Sequence, residues 1–291
     1  MEPMNPLVNP VLNWYHMHAR ALPWRGESHP GAWGVLVSEI MLAQTPVSRV
    51  LPYWESWMTR WPHPRDLAEA QVSDVLVAWG TLGYPRRALR LKEAAVMICE
   101  QYAGEVPDDQ ALLRTLPGIG EYTAAAVAAF AFGRRTVVLD TNVRRVLARA
   151  DAGEALPLPH LTSAERAVAD SIVPIDPAQA ALWNQAVMEL GAIVCKARDW
   201  DCAACPIADL CEWRKADYPG DVYAGKRRTQ GWEGTNRQVR GQIMAILREA
   251  EGEAVPIAAL TTAQQSAAVR AINGLVADGL AVREGEALRL P

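Results

Sequence analysis

The chain has 291 residues, half of them hydrophobic and 21% charged. That composition suits a folded globular protein of two or three domains and rules out a disordered or fibrous one. A formal net charge of −4 argues against a protein that coats nucleic acid non-specifically, because phosphate binding needs clustered Lys and Arg.

Residues 1–10 are apolar and turn-rich but carry no basic run ahead of a long apolar stretch, and no later segment approaches the roughly 20 apolar residues of a membrane span. A cytoplasmic protein without membrane attachment is expected. Helical length and spacing recur at Val35–Gln44, Leu89–Glu100, Thr123–Phe132, Val143–Ala150, Ala164–Ser171 and Ala180–Val194, with Ala dominant in several. Strand-like alternation is nearly absent before the C-terminus. Arg134, Arg135, Arg144, Arg145 and Arg149 fall close together, as do Lys226, Arg227 and Arg228; the ordinary expectation for such groups is a solvated surface. A Gly-, Arg- and Lys-rich linker runs from about Pro219 to Asn236. Beyond it come an amphipathic helix (Arg237–Glu249), a short turn-helix (Pro256–Leu260), a second long helix (Ala263–Leu280) and a small hairpin over Ala281–Leu290. That order predicts a winged helix, a module that binds DNA in some proteins and serves as an adaptor in others.

Four of the five cysteines crowd together as Cys195, Cys202, Cys205 and Cys211, spaced C-x6-C-x2-C-x5-C. A secreted disulfide framework would spread them, so a reduced compartment and a metal site are favoured. All-sulfur ligation selects an iron–sulfur cluster or zinc, and one C-x2-C pair fits a zinc ribbon less well than two would; spacing leaves the metal open. Cys99 stands alone in an apolar helical stretch and reads as a small core residue.

Leu116-Pro117-Gly118-Ile119-Gly120 precedes an Ala-rich helix and follows a helical stretch from Asp109, giving a helix–hairpin–helix. A Gly-x-Gly turn at a helix N-terminus exposes unpartnered N–H groups that can hold a phosphate; equally, the glycines can serve only a tight turn. Asp140, between an apolar run and an amphipathic helix, is either an N-cap or a carboxylate at the mouth of the core. Glu39 lies among apolar neighbours in its helix, where desolvation would raise its pKa, or else on that helix's one wet stripe.

Taken together from Asn13 to Arg214, these features resemble the helix–hairpin–helix glycosylases, in particular the adenine DNA glycosylases of the MutY type. The resemblance is carried by Leu22-Pro23-Trp24-Arg25, Ser38 to Thr45, Leu82-Gly83-Tyr84, the hairpin to Tyr122, Leu139 to Val143, Met188-Glu189-Leu190-Gly191 and the cysteine loop. It implies an all-α core, with a six-helix barrel over 28–134 and an iron–sulfur domain formed by 1–27 and 135–218. A linker over 219–235 and a winged helix over 236–291 would complete the chain. DNA is expected in the cleft between the two core domains. It further implies a [4Fe–4S] cluster on the four cysteines and a monomer acting on double-stranded DNA with a mismatched or damaged pair.

By the same resemblance, Glu39 is the general acid that protonates the flipped adenine, and Asp140 stabilises the oxocarbenium-like sugar, directly or through a covalent intermediate. Tyr122 and Asn142 support the sugar and the carboxylates. Arg20, Trp24, Arg25, Leu42 and Glu189 form the base pocket, while Gln44, Thr45, Leu82 and Tyr84 address the opposite base. Gly118 and Gly120 grip the backbone, and Lys196 and Arg198 are candidate phosphate contacts. Endonuclease III-like relatives carry a Schiff-base lysine where this chain has Tyr122, so a monofunctional enzyme without efficient lyase activity is implied.

Four departures stand out: Ala43 replaces the first of a Gln pair, Thr141 follows Asp140 in place of Gly, Pro85 follows Tyr84, and the Nudix-like lesion-reading domain is missing. Adenine opposite 8-oxoguanine or guanine is the expected substrate. A thymine or uracil mismatch glycosylase, and a non-catalytic iron–sulfur DNA-binding protein, are the alternatives.

Overall fold

The computed structural model describes residues 4–25, 31–227, 235–250, 252–260 and 265–291. Helices dominate, and the chain divides into two compact units. One comprises Met1–Val35, Asp108–Arg114 and Ile119–Arg228; the other comprises Leu36–Pro107, Thr115–Gly118 and Thr229–Pro291. No helix among the described residues is long and apolar enough to cross a membrane.

The first unit is built on α1 (Val8–His18), α9 (Thr141–Ala150) and α11 (Pro177–Ile193), which bury Trp14, Leu147, Trp183 and Leu190 in one core. Each fully buried Leu or Val there contributes roughly 1.5–3 kcal/mol. Side-chain caps fix where the helices start. Asp109 accepts from Ala111 and Leu112 N–H at α7 (Gln110–Leu113), Thr162 accepts from Glu165 at α10 (Ser163–Ile172), and Asp176 from Gln179 at α11. α8 (Glu121–Phe132) has no such cap; it starts at Gly120 and ends at Gly133, whose left-handed backbone (φ +63°) closes it. Gly191 lies where α11 meets α9: a Cβ there would come within 2.7 Å of Asn142 Cβ, so only glycine allows that approach.

In the second unit α3 (Val47–Arg60), α4 (Pro64–Glu69), α5 (Val72–Trp79) and α6 (Arg86–Gln101) follow the end of α2 (Gly31–Leu42). Trp57 packs edge-on against Trp61 and Trp79. The C-terminal residues belong to this unit and form α13 (Asn236–Glu249), β1 (Val255–Pro256), α14 (Ile257–Leu260), α15 (Gln265–Ala277), β2 (Val282–Glu284) and β3 (Ala287–Arg289). The strands pair antiparallel in the order β1-β3-β2, with Val255 opposite Leu288 and Arg283 opposite Leu288 on its other side. This is the connectivity of a winged helix. Its core is shared: Leu76 of α5 is buried with Ile243, Leu247, Ile272 and Leu275, and Val72 and Leu89 pack against the same cluster.

Predicted helices are recovered with ends shifted by no more than four residues. Pro256 lies in a strand rather than in the turn-helix, because it pairs with Ala287. Helix α1 was hidden by the turn-like composition of residues 1–10. Cys99 is half-buried rather than fully in the core. The arginine group expected on a solvated surface divides: Arg134 and Arg135 are exposed and pair with Asp108 and Asp170, whereas Arg144 is half-buried on Glu165 and Arg145 and Arg149 are buried. Arg228 lies outside the described residues.

Candidate active site and cysteine cavity

Asp140 caps α9. Its Oδ1 accepts from the backbone N–H groups of Asn142 (2.9 Å) and Val143 (2.6 Å), and its Oδ2 accepts from Asn142 Nδ2 (2.7 Å). The segment that delivers it is pinned from both sides. Thr136 Oγ1 donates to Ala125 O of α8, Asn184 Nδ2 of α11 donates to Thr136 O, and Val138 N–H donates to Asn184 Oδ1. Burial pushes the Asp140 carboxyl above the ordinary aspartate range. The N–H of Val143, the side chain and N–H of Asn142 and the charge of Arg145 pull the other way without cancelling it. The N-cap reading of Asp140 is therefore correct, and it coexists with a desolvated carboxyl group.

Asn142 is held in turn. Its amide oxygen accepts from Arg145 Nη2 (2.9 Å), and the same guanidinium donates to Gly191 O (2.7 Å) and Cys195 O (2.8 Å). Tyr122, near the start of α8, packs against the Ala125–Val138 cluster beside Met188.

Glu189 is fully buried on α11 and collects two arginines. Arg20 donates through its N–H (3.2 Å), Nε (2.5 Å) and Nη2 (2.9 Å), and Arg25 through Nη1 (2.9 Å). Burial raises the Glu189 pKa, but the Arg20 hydrogen bonds and the Arg25 charge outweigh it and hold the carboxyl below its usual range. Trp24 is buried between these arginines in sequence. Arg20, Arg25 and Glu189 are thus brought together, with Trp24 buried on the segment that carries the two arginines.

In the second unit Glu39 is buried within α2, so the wet-stripe alternative is wrong for it. Leu42 ends that helix, and Thr45 is buried with its hydroxyl donating to Leu82 O (3.4 Å). Gln44 (φ +61°) and Tyr84 (φ +49°) both sit in the left-handed region, a strained conformation for such side chains that tends to collect at functional positions. Sequence reasoning missed the residue that organises them. Arg87 Nη1 donates to the carbonyls of Ile40 (2.8 Å), Met41 (3.2 Å) and Ala43 (2.5 Å), and Nη2 donates to Thr45 Oγ1 (3.2 Å) and Gly83 O (3.1 Å). A cation on the last carbonyls of α2 complements the negative end of its dipole. Desolvation pushes this guanidinium down to about 10, so it stays charged at neutral pH.

The hairpin glycines differ. Gly118 has φ +79°, and a Cβ there would strike Arg90 Cβ at 2.6 Å, so the turn itself requires glycine. Gly120 is extended with open space around it.

Cys195, Cys202, Cys205 and Cys211 line one cavity, walled by Val146, Leu190, Val194 and Ile207 and flanked by Trp200 and Trp213. Among the described residues, no three or more His, Cys, Asp or Glu side chains close around a single metal ion. Arg149 donates to Cys195 Sγ (3.4 Å) and Lys196 O (2.9 Å), and its guanidinium lies 4.2 Å from the Trp213 ring centroid. Burial, reinforced by the other three sulfurs, pushes the Cys205 thiol up to about 12, and Cys211 is raised too. Thiols in such a place become ligands only when a cationic centre replaces their protons, and an all-sulfur set in an apolar cavity fits an iron–sulfur cluster. Lys196 and Arg198 are exposed on the loop between the first two cysteines.

Residues 37–169 match the model of the HhH-GPD superfamily of base excision DNA repair proteins, which sets the class: a helix–hairpin–helix DNA glycosylase fold. An adenine DNA glycosylase of Mycobacterium tuberculosis is 47% identical over 279 residues, covering 94% of this chain and 89% of that protein. The chain belongs to the MutY-type adenine DNA glycosylase family. A solved thermostable thymine-DNA glycosylase is 28% identical with a TM-score of 0.64, covering 72% of this chain and 95% of that one. An endonuclease III trapped on DNA in an estranged-adenine complex shares the fold at 23% identity, with a TM-score of 0.61 and coverage of 72% and 95%.

Proposed function

We propose that the protein is a monofunctional glycosylase, acting as a monomer in base excision repair, that hydrolyses the N-glycosidic bond of adenine mispaired with 8-oxoguanine or guanine. The observation that carries this reading is Asp140: an N-capping carboxylate held by three N–H donors, yet desolvated. Such a group is fixed where positive charge develops on the sugar and, once ionised, opposes it at close range; stabilisation of that kind is usually the largest single contribution to a rate.

Glu39, buried in its helix, serves as the acid that protonates the leaving base. Tyr122 and Asn142 support the sugar and Asp140. The Arg20, Trp24, Arg25, Leu42 and Glu189 set walls the base pocket, with the buried carboxylate fixing both guanidiniums. Gln44, Thr45, Leu82 and Tyr84 fill the space left by the extruded base and address its former partner; extrusion costs a few kcal/mol, repaid in part by such contacts. Gly120, the residue before α8 with open space around its Cα, and Gly118, which shapes the turn, hold a DNA phosphate; exposed Lys196 and Arg198 add charge.

Cys195, Cys202, Cys205 and Cys211 would hold a [4Fe–4S] cluster, which when bound cross-links the loop that carries Lys196 and Arg198. Purified protein should be straw-brown with iron and acid-labile sulfide in equal amounts; colourless, zinc-containing protein would contradict this.

Single-turnover assays on duplexes with adenine opposite 8-oxoguanine and opposite guanine test the activity, with thymine and uracil opposite guanine run alongside. Adenine release alone is expected, abolished in Asp140→Asn. Release of thymine or uracil without adenine would replace the substrate, and undiminished turnover in Asp140→Asn would remove the mechanism.

A further inference from the structure

Tyr84 is held in a backbone conformation that its own chemistry does not favour. At φ +49° a tyrosine persists only where its surroundings leave it no alternative. The backbone part of that constraint is local. Gly83 O accepts from Trp79 Nε1 (3.0 Å) and Arg87 Nη2 (3.1 Å), and Tyr84 O accepts from the Arg87 N–H (2.9 Å). The ring is held in part from far along the chain. The guanidinium of Arg87 lies 5.5 Å from its centroid, and that of Arg237, at the start of α13 in the C-terminal module, lies closer, at 4.5 Å.

The position of α13 against the Tyr84 loop is itself fixed. One turn beyond Arg237, Arg240 pairs with one oxygen of Asp278 (2.5 Å); the other oxygen pairs with Arg86 of α6 (3.2 Å), two residues after Tyr84. Asp278 directly follows α15, whose Ile272 and Leu275 share a core with Leu76 and with Ile243 and Leu247 of α13. The hairpin tip, meanwhile, sets Glu284 and Glu286 against Arg289 and Arg283, a balance of charge that attracts a phosphate little. What the module presents to Tyr84 is a cation on a fixed frame.

We propose that the C-terminal module is a positioning element for the contact with the opposite base: α13 seats Arg237 on the Tyr84 ring, and Asp278 keeps α13 in register with the loop that carries Tyr84. Both residues act through Tyr84, and neither has to touch DNA. The inference rests on the role assigned above to Tyr84. A ring already held by a cation loses its rotamer freedom when the protein folds rather than when the duplex binds, so the module raises affinity and leaves the chemical step alone.

The test is a double-mutant cycle on the full chain. It reads affinity for a duplex with a non-hydrolysable adenosine analogue opposite 8-oxoguanine, beside the single-turnover excision rate at saturating enzyme. Arg237→Ala should bind about three- to tenfold more weakly, the order expected for a lost cation–π contact. Asp278→Asn, which keeps the shape of the side chain, should lose affinity in the same direction, and both variants should keep the wild-type saturating rate. In a Tyr84→Ala background neither substitution should lower affinity further, because the ring they hold is gone. Undiminished losses in that background, no loss in the chain that retains Tyr84, or an equal fall in the saturating rate would overturn the module's part and leave the role of Tyr84 standing. A Tyr84→Ala protein that binds as tightly as the wild type would overturn both.

Discussion

Asn142 grips Asp140 with two donors at once, its backbone N–H on Oδ1 (2.9 Å) and its side-chain amide on Oδ2 (2.7 Å). The side-chain oxygen, turned away, is occupied by Arg145, so the amide cannot flip without placing its NH2 against a guanidinium. Asn142→Ala removes a donor from Asp140 and an acceptor from buried Arg145. A loss of about 1–3 kcal/mol in stability is expected, with at least a tenfold slower single-turnover excision. Since Asp140 must be ionised and burial raises its pKa, excision should fall on the acid side at a pH above the ordinary aspartate range. A pH profile that stays flat down to that range would contradict the role of Asp140.

Glu189 is the partner of two arginines and has no exposed surface. Breaking a buried ion pair from one side costs about 3–5 kcal/mol, and Glu189→Ala should destabilise the protein by that order in denaturant melts. The pH dependence has a defined sign. A carboxyl whose folded pKa lies below its unfolded value stabilises fully above the unfolded pKa and ceases to do so as pH falls through the folded one. Glu189→Gln should therefore melt closer to the wild type in strong acid than at neutral pH.

Arg87 supplies both its terminal nitrogens to carbonyls at the end of α2 and in the Leu82–Gly83 loop. Arg87→Lys retains the charge but cannot span both groups of acceptors. We expect a destabilisation of about 2 kcal/mol, at the usual cost of stranding buried acceptors. Affinity for mismatched duplex should fall with it, because Gln44 and Tyr84 lose their support. Unchanged duplex binding by a folded Arg87→Lys protein would show that the left-handed conformations persist without it.

Leu76 belongs to α5 but is buried in the core of the C-terminal module. Leu76→Ala should cost about 2–5 kcal/mol. Chemical denaturation read by far-UV dichroism should lose the C-terminal residues and α3–α6 in one transition. Two separated transitions would mean that the module is an independent bead on a linker.

What could be read from the sequence was whatever depends on local spacing. The four cysteines, the Gly118–Gly120 turn and the helix–helix–helix–hairpin order at the C-terminus all survive as residues adjacent in the chain. Arg145 and Arg149 were hidden for the opposite reason. They sit four apart on the inward face of α9, and they reach carbonyls and a sulfur some 46 to 50 residues away. Arg87 is similar, since all but one of its hydrogen-bond partners are backbone oxygens, which no side-chain pattern announces. Gln44 and Tyr84 take up left-handed backbone without being Gly or Asn, so their identity gave no warning. Glu39 looked ambiguous between a wet stripe and a dry one, and only the burial of nearly all of α2 decided it.

The shared core around Leu76 also constrains how such an enzyme can be rebuilt. A chimera that exchanges the C-terminal module for another domain would leave Leu76 bare, and Val72 and Leu89 would lose their covering, an apolar patch that invites self-association. A successful graft would have to bring its own apolar lid or recode those three positions with polar residues. The module boundary that is natural in the sequence, at the linker, is for that reason the wrong place to cut.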